Sequence, residues 1–340
     1  MKRLHLTQRR KRRFFRVVIA FTILAILICL AVNVFFGIFT GFSGLFAAKT
    51  DTVKTPDEKD IDWGVLPTDS GSETDPAFKG EGKLYVWDVG QGLSCLFTFP
   101  DGKTLLIDSG SYSYLDVMKK NLASAGVKDL SCVVITHQHE DHMGAMPSLI
   151  QDYSVEAIYM PVVPDSLEPD TVALTKLDYA LEEKGIATTA PSFGDVIMEG
   201  EGYSVTVVSE SDKSYEDLND YSIMLHVVIG KTSFQIQGDA GISAENNLLS
   251  TGYDIDSDVL LVGHHGSSES SSQMFLDQVS PEISIISVGI GNDYGHPHKE
   301  TLERLSKEST TIYRTDENGT IVITTDGKKL SVNTSEKDVE

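Results

Sequence analysis

One stretch of the sequence joins an apolar run to a dense cluster of histidines. Residues 130–135 (LSCVVI) are mostly apolar and β-branched, and they lead directly into residues 136–142 (THQHEDH). Such a run is typical of a buried strand that ends in a loop. Imidazole and carboxylate groups are common ligands of divalent ions. The spacing predicts a metal site at the end of this strand, where His137 and His139 share one ion and Asp141 and His142 face a second.

The sequence before this region has three differently composed parts. Residues 1–16 hold eight basic residues and no acidic one, and residues 17–39 are uncharged and apolar. At ~1.5 Å per residue the second part is long enough to cross a bilayer. Because the basic residues precede it, residues 1–16 are predicted to be cytoplasmic, residues 17–39 a transmembrane helix, and the remainder extracellular. A buried helix of a soluble protein is the alternative interpretation of residues 17–39.

The composition of the later residues indicates a linker, one large domain and a short tail. Residues 40–82 form a predicted disordered acidic linker, residues 83–325 one large folded domain, and residues 326–340 a loose C-terminal tail. The net charge of the whole chain is −22, and without residues 1–16 it is −30, from 20 basic and 50 acidic residues. A body this acidic repels polyanions, so a phosphate-bearing substrate must be held locally. Cys95 and Cys132 lie in apolar strand patterns and are predicted to be buried free thiols.

Other predicted strands also end in polar residues of the same kinds. Asp88, Asp108, Asp239 and His264 each follow an apolar strand pattern. The strands occur in two runs, each interleaved with helices. This order predicts an α/β fold, an αββα sandwich of two sheets with helices outside. The polar strand ends can then meet at one edge of the sandwich.

Several motifs together resemble one known family. They are residues 88–92 (DVGQG), 105–110 (LLIDSG), 136–142 (THQHEDH), 237–239 (QGD), 264–267 (HHGS) and 287–297 (SVGIGNDYGHP). In this order the motifs resemble the metallo-β-lactamase superfamily, and more narrowly the extracellular metallo-β-lactamase-like domain of the ComEC/Rec2 competence proteins. The resemblance covers residues 83–325 and implies a metallo-β-lactamase-like hydrolase fold.

The resemblance also implies roles for individual residues. His137 and His139 would bind the first metal ion, whereas Asp141, His142 and His264 would bind the second. Asp239 would bridge both ions and hold a hydroxide between them. The expected catalytic residues are Asp141, Asp239, His265 and His296, the last two in proton transfer or in support of the ligands. Residues expected to orient the ligands from behind are Asp88, Gln91, Asp108, Asn219 and Ser222. Of the adjacent pair, His264 is favoured as the ligand because it follows the strand directly.

The sequence departs from the family pattern at the first metal site. The family supplies a third histidine shortly before the Gly-Asp motif, where this chain reads LNDYS at residues 218–222. The nearby His226 lies inside a hydrophobic strand pattern, which favours a structural role. Asn219 or water would then complete the first metal shell. The competence proteins also carry a channel and an oligonucleotide-binding domain, and this chain has no obvious room for either, so DNA transport by this chain alone is not expected.

These observations predict a membrane-anchored, extracytoplasmic metal-dependent hydrolase, a phosphodiesterase or nuclease-like enzyme. Its expected partners are the membrane and a phosphodiester substrate, either nucleic acid or a cell-wall polymer. The expected cofactors are two zinc ions, with manganese as the alternative. Two other functions remain open: a phosphorylcholine or teichoic-acid esterase, and a metal-stabilised surface protein without catalysis.

Overall fold

The computed structural model describes residues 79–210 and 212–335, and two β-sheets dominate this part of the chain. The predicted transmembrane helix, residues 17–39, and the predicted cytoplasmic segment, residues 1–16, lie outside the described residues, as does the predicted linker up to residue 78. Within the described ranges, no helix has both the length and the apolar content that are needed to cross a bilayer.

The first sheet has eight strands in the order β15-β14-β1-β2-β3-β4-β5-β6. Strands β3 to β6 run parallel to one another, and the other neighbours are antiparallel. The strands are β1 (Gly82–Val86), β2 (Cys95–Thr98), β3 (Thr104–Ile107), β4 (Asp129–Val134), β5 (Ser154–Tyr159), β6 (Thr188–Thr189), β14 (Ile321–Thr325) and β15 (Leu330–Thr334).

The second sheet has seven strands in the order β13-β12-β11-β10-β9-β8-β7. Strands β10 to β13 are parallel, and β7 to β9 form an antiparallel extension. The strands are β7 (Val196–Gly200), β8 (Tyr203–Val207), β9 (Leu225–Ile229), β10 (Thr232–Ile236), β11 (Val259–Leu261), β12 (Ile283–Ile286) and β13 (Thr311–Arg314).

The helices cover the outer faces of the two sheets. They are α1 (Leu115–Ser124), α2 (Glu140–Met143), α3 (Met146–Asp152), α4 (Val172–Lys184), α5 (Ile242–Thr251), α6 (Gln273–Val279), α7 (Lys299–Lys307) and α8 (Thr315–Asn318). Apolar residues of α1, α3 and α4 share one buried cluster with the outer face of the first sheet. Residues of α5, α6 and α7 form a corresponding cluster on the second sheet.

A third apolar cluster lies between the sheets and joins them. Phe97 of β2 and Phe234 of β10 meet edge to face, with ring centroids 5.4 Å apart. Truncating either ring to alanine would cost about 3–5 kcal/mol of stability. The predicted mixed α/β sandwich is therefore confirmed. Cys95 and Cys132 are buried and free, also as predicted.

The prediction of a loose tail over residues 326–340 is wrong for part of that segment. Leu330–Thr334 forms β15, which pairs antiparallel with β14 from Ile321↔Thr334 to Thr325↔Leu330. The strand alternates half-buried and exposed side chains at the edge of the sheet, so its sequence shows only a weak apolar pattern. Backbone hydrogen bonds to β14, rather than burial of large side chains, hold it in place.

Candidate metal centre

Parallel strands place the predicted polar residues at one edge of the sandwich. Asp108 follows β3 and the histidine segment follows β4, while Asp239 follows β10 and His265 follows β11. The carboxyl ends of parallel neighbours lie at the same edge of a sheet. The structure therefore brings together residues that are up to 157 positions apart in the sequence, from Asp108 to His265.

Ring nitrogens and carboxylate oxygens converge at this edge in two groups. The ligand atoms of His137, His142 and Asp239 lie within 4.8 Å of one another, and so do those of Asp141, His142 and His265. His142 Nε2 lies 3.2 Å from Asp239 Oδ2. His265 Nε2 lies 3.4 Å from the same oxygen and 3.3 Å from Asp141 Oδ2. We call Asp141, His142 and His265 the His265 group, and His137 and His139 the His137 group; Asp239 lies between the two.

Asp108 fixes the orientation of His142. Both residues are fully buried, and His142 Nδ1 donates to Asp108 Oδ2 over 2.7 Å. The other contacts of the carboxylate are with Thr136, whose backbone N–H and hydroxyl donate over 2.8 Å and 2.6 Å. With its proton on Nδ1, the neutral imidazole presents the Nε2 lone pair to the centre.

The structure favours His265 over His264 as the inward-facing residue of the pair. His265 Nδ1 lies 2.9 Å from the backbone oxygen of Ser287, which can only accept, so Nδ1 carries the proton and Nε2 is left for the centre. His264 Nε2 lies 3.8 Å from Asp239, and its side chain is 23% exposed. Both residues have positive φ angles, 49° and 55°. In this tight turn after β11, the first histidine after the strand is therefore not the one that faces inward.

The His137 group is supported by hydroxyls rather than by carboxylates. His137 Nε2 and His139 Nδ1 are 2.9 Å apart and face each other. Behind the ring, His137 Nδ1 lies 3.2 Å from the Thr136 hydroxyl and 3.4 Å from the Ser222 hydroxyl. Ser222 Oγ also accepts the backbone N–H of Asp239 over 3.1 Å. Ser222 therefore links the His137 group to Asp239.

The charges of the centre favour a cation. Burial alone would lower the pKa of His142, but the carboxylates of Asp239, Asp108 and Asp141 raise this pKa well above its ordinary value. Burial likewise opposes protonation of His265, and Asp239 and Asp141 raise its pKa to about 9. Although burial raises the pKa of Asp239, the imidazoles of His142 and His265 hold it well below the usual range.

Three buried atoms of the centre lack a hydrogen-bond partner among the described residues: His142 Nε2, His265 Nε2 and Asp239 Oδ1. Unpaired buried polar atoms are costly, and at a functional site they indicate an absent partner. Imidazole nitrogens together with carboxylate oxygens suit zinc or manganese. The donor set therefore fits divalent metal ions.

The predicted residue Gln91 braces a loop beside the centre. Its Oε1 accepts the backbone N–H of Gly289 over 3.2 Å, and its Nε2 lies 3.5 Å from His296 Nδ1. The adjacent Gly92 has φ of +145°, and a Cβ there would lie 2.4 Å from the backbone oxygen of Asp141. Only glycine allows this close approach. Asp88 acts within the same turn, where its Oδ1 accepts the backbone N–H of Gly90 over 3.2 Å.

His296 lies at the edge of the centre. Its ring centroid is 5.5 Å from that of His264 and 6.3 Å from that of His265. Burial lowers the pKa of His296 to about 4, and the neighbouring His264 and His265 contribute. Since Gln91 Nε2 is a donor, His296 Nδ1 accepts and its proton is on Nε2. The ring is thus a neutral hydrogen-bond donor at neutral pH.

Asn219 borders a cavity of about 320 Å³ that also reaches Asp239 and His264. Its Oδ1 is buried and has no hydrogen-bond partner within the described part of the chain. The same cavity is lined by the acidic side chains of Asp217, Asp220 and Glu269. An amide oxygen in the cavity that Asp239 also lines could play the supplementary role expected of Asn219. The acidic wall makes this side of the centre unfavourable for a polyanion.

A buried polar network behind the centre was not predicted from the sequence. Glu245 of α5 is fully buried and accepts from Gln237 Nε2 and from the backbone N–H groups of Ser271 and Ser272. Gln237 Oε1 in turn accepts the backbone N–H of Gly263 over 3.1 Å. The network thus holds the turn that carries His265. The sequence feature that could have indicated this network is Glu245, an acidic residue in the first turn of a helix that closely follows the QGD motif.

Comparison with known proteins agrees with this geometry. The metallo-β-lactamase superfamily profile matches residues 87–290. ComE operon protein 3 of Bacillus subtilis (strain 168) is 30% identical over 263 residues, which are 72% of this chain and 33% of that protein. Competence protein ComA of Neisseria gonorrhoeae is 28% identical over 252 residues, 72% of this chain and 32% of that protein.

A UPF0173 metal-dependent hydrolase of Polynucleobacter asymbioticus is 26% identical over 202 residues, 57% of this chain and 69% of that protein. This chain spans about a third of the length of ComE operon protein 3 and of competence protein ComA. The profile covers more than half of the chain, and its range includes the strands that carry the histidine segment, Asp239 and His265. The chain belongs to the metallo-β-lactamase superfamily.

Proposed function

We propose that the chain is a metal-dependent hydrolase that cleaves phosphodiesters. The observation that carries the proposal is the buried centre in which His142 and His265 are fixed through Nδ1 and direct Nε2 toward Asp141 and Asp239. The His137 group and the His265 group lie side by side, with Asp239 between them, and together they offer nitrogen and oxygen ligands for a pair of ions. The match to a metal-dependent hydrolase supports hydrolysis as the reaction class.

The ligand assignment follows the two groups. The His137 group, with Asn219, would hold the first ion. The His265 group would hold the second, with His265 as the ligand in place of His264, and Asp239 would contact both. Zinc or manganese bound here would supply a nucleophilic water at neutral pH and polarise the phosphoryl oxygen.

The remaining residues position the substrate and the ligands. His296 presents a neutral Nε2–H at the edge of the centre and can donate to a phosphoryl or leaving-group oxygen. Gln91 keeps the ring in this orientation by donating to Nδ1. Asp108 and the Ser287 carbonyl hold the two imidazoles in place, so that the geometry exists before substrate binds.

The acidic cavity supports a second candidate, an esterase for a substrate that carries a cationic group, such as a phosphorylcholine or teichoic-acid ester. Asp217, Asp220 and Glu269 would face the cation while the ester lies at the metal centre. The exposed Tyr112 gives this candidate little support, since Lys176 Nζ already lies 4.8 Å from its ring centroid. A metal-stabilised binding protein without catalysis is the third candidate.

We also propose that residues 17–39 anchor the domain on the extracytoplasmic side. The support is the sequence: an uncharged apolar stretch preceded by eight basic residues. Alkaline phosphatase, which is active only after export, would be fused behind residue 82. We expect this fusion to show phosphatase activity and to lose it when residues 17–39 are deleted. An inactive fusion that retains residues 17–39 would contradict the topology.

The test of the reaction uses the full-length chain loaded separately with zinc and with manganese. Hydrolysis of bis-p-nitrophenyl phosphate is compared with that of p-nitrophenyl phosphorylcholine, and Asp239→Ala is the matched control. Turnover of the diester that is lost in the control is the expected result. Turnover of the choline ester alone would favour the second candidate. No turnover, with fewer than two ions bound per chain, would favour the binding protein.

A further inference from the structure

We propose that a lateral pocket beside the His137 group binds one uncharged, N–H-donating ring of the substrate, of the nucleobase type, and that Glu210 selects it. The lateral pocket has a volume of about 220 Å³ and is lined by Pro161, Val162, Ala190, Pro191, Ser192, Ser209, Glu210, Tyr221 and Ile223. The inference rests on the proposed phosphodiesterase function and specifies its substrate.

The lateral pocket is a continuation of the edge that carries the metal centre. Its walls follow the carboxyl ends of β5, β6 and β8 and precede β9. Gln138, which separates His137 from His139, donates from Nε2 to the backbone oxygen of Pro161 over 2.9 Å. On the opposite wall, Tyr221 and Ile223 flank Ser222, whose hydroxyl faces His137. A group attached to an ester at the centre can therefore extend into this pocket.

The lining of the lateral pocket is apolar apart from a few polar groups. Two prolines, Val162, Ile223 and the Tyr221 ring offer flat or aliphatic surfaces on which a ring can lie. Such pockets typically bind through apolar contact and use a small number of polar groups for orientation. The volume admits one ring system, which matches a single base rather than a stretch of nucleic acid.

Glu210 supplies the orienting acceptor. Its Oε2 is buried and has no hydrogen-bond partner among residues 79–210 and 212–335. Its Oε1 lies 3.5 Å from Lys213 Nζ, so the charge of the carboxylate already has a counter-ion. Glu210 Oε2 therefore favours an uncharged N–H donor over a cation. A choline site would also need several aromatic faces, and Tyr221 is the one aromatic residue in this lining.

This arrangement predicts a preference among bases. Guanine presents adjacent N1–H and N2–H donors, whereas the N3–H of thymine lies between two carbonyl oxygens that would face the carboxylate. A hydrogen bond to a charged group is worth roughly a tenfold or greater change in affinity. We expect the p-nitrophenyl ester of guanosine 5′-phosphate to exceed that of thymidine 5′-phosphate in kcat/KM by about tenfold, and methyl p-nitrophenyl phosphate to be the poorest substrate.

Two variants of the full-length, metal-loaded chain test the lateral pocket. Glu210→Gln should abolish the guanosine preference but leave hydrolysis of the methyl ester unchanged; Glu216→Gln, an exposed acid in the same segment, is its control. Val162→Trp should reduce turnover of both nucleoside esters by filling the pocket. Val162 is 77% exposed, and its control Val172→Trp alters a residue that is 71% exposed and lies outside the lining.

The outcomes distinguish a failure of the proposed pocket from a failure of the proposed phosphodiesterase reaction. Hydrolysis of all esters with equal kcat/KM, or a guanosine preference that survives Glu210→Gln, would overturn the proposal while supporting the phosphodiesterase. A preference for the choline ester that is lost in Glu210→Gln would show that the pocket takes a cation and would also overturn it. If no ester is cleaved, the phosphodiesterase function fails. Guanosine binding measured by NMR then decides: weakening by Glu210→Gln supports the pocket, and equal binding refutes it.

Discussion

The two halves of the metal centre differ in how their imidazoles are supported. In the His265 group, a buried carboxylate fixes His142 and a backbone carbonyl fixes His265, with contacts of 2.7 Å and 2.9 Å. In the His137 group, the outer nitrogen of His137 faces two hydroxyls at 3.2 Å and 3.4 Å. Outer acceptors set the tautomer and raise the basicity of a ligand, and a carboxylate does so more strongly than a hydroxyl.

The difference suggests that the two positions bind metal with unequal strength. The His265 group is preorganised and includes a carboxylate of its own, Asp141. The His137 group shares Asp239 and lacks the third histidine that the family pattern provides. We therefore expect ions to fill the His265 group first, with a weaker, exchangeable ion at the His137 group. The predictions below alter one half at a time.

The largest effect is expected from removing the His265 imidazole, a ligand of the His265 group. His265→Ala should weaken binding of the tighter ion by more than about 100-fold, beyond the ~10–100-fold range typical of outer partners. His264→Ala is the matched control, since its ring lies farther from Asp239. Titration with a fluorescent chelator measures both affinities. If His264→Ala has the larger effect instead, His264 is the ligand, as its position in the sequence predicts, and His265 is not.

Asp108→Asn should weaken the tighter ion by about 10–100-fold. Asparagine keeps the shape and tolerates the φ of +56° at this position. However, its amide nitrogen must face either Thr136 or His142, both of which donate to Asp108. One buried donor then loses its acceptor, which costs about 1–3 kcal/mol of stability.

Denaturant unfolding and metal titration together measure this prediction. The weaker ion should be affected less than the tighter one, because Asp108 reaches His137 only indirectly, through the Thr136 hydroxyl. Equal weakening of both ions in Asp108→Asn would show that the two halves act as one unit, and the comparison between them would then fail.

These cases also show which parts of the site the sequence could predict. The positions of Asp108, the histidine segment and Asp239 followed from polar residues at the ends of apolar strands, because strand ends converge by topology. The choice of His265 over His264 did not follow, because a turn with two positive φ angles decides which ring faces inward. The link from Gln91 to His296 spans 205 positions and depends on how the sheets stack. The edge strand β15 has few buried side chains, so its sequence gave little indication of it.

A smaller effect is expected from changing Asn219, which would help the His137 group to hold the weaker ion. Asn219→Ala should lower the affinity of the weaker ion by less than about tenfold, since one neutral amide oxygen is a modest ligand for zinc. Asn219→His should raise the affinity of the weaker ion for zinc by restoring an imidazole. Cobalt substitution reports the change through its absorption spectrum. Glu269→Gln, which alters an exposed residue of the same cavity, should leave the affinity of the weaker ion unchanged.

The smallest effect is expected from Ser222→Ala. The variant removes a contact of 3.4 Å to His137 and leaves the backbone N–H of Asp239 without its hydroxyl acceptor at 3.1 Å. A neutral hydrogen bond contributes about 1 kcal/mol, so we expect a several-fold loss at the weaker ion and a similar cost in stability. The tighter ion serves as the internal reference in the same titration, because its ligands His142 and His265 make their outer contacts with Asp108 and Ser287 rather than with Ser222. A loss at the tighter ion as large as that of Asp108→Asn would mean that Ser222 positions Asp239 for both ions, and the strength of the His265 group would then depend on a hydroxyl after all.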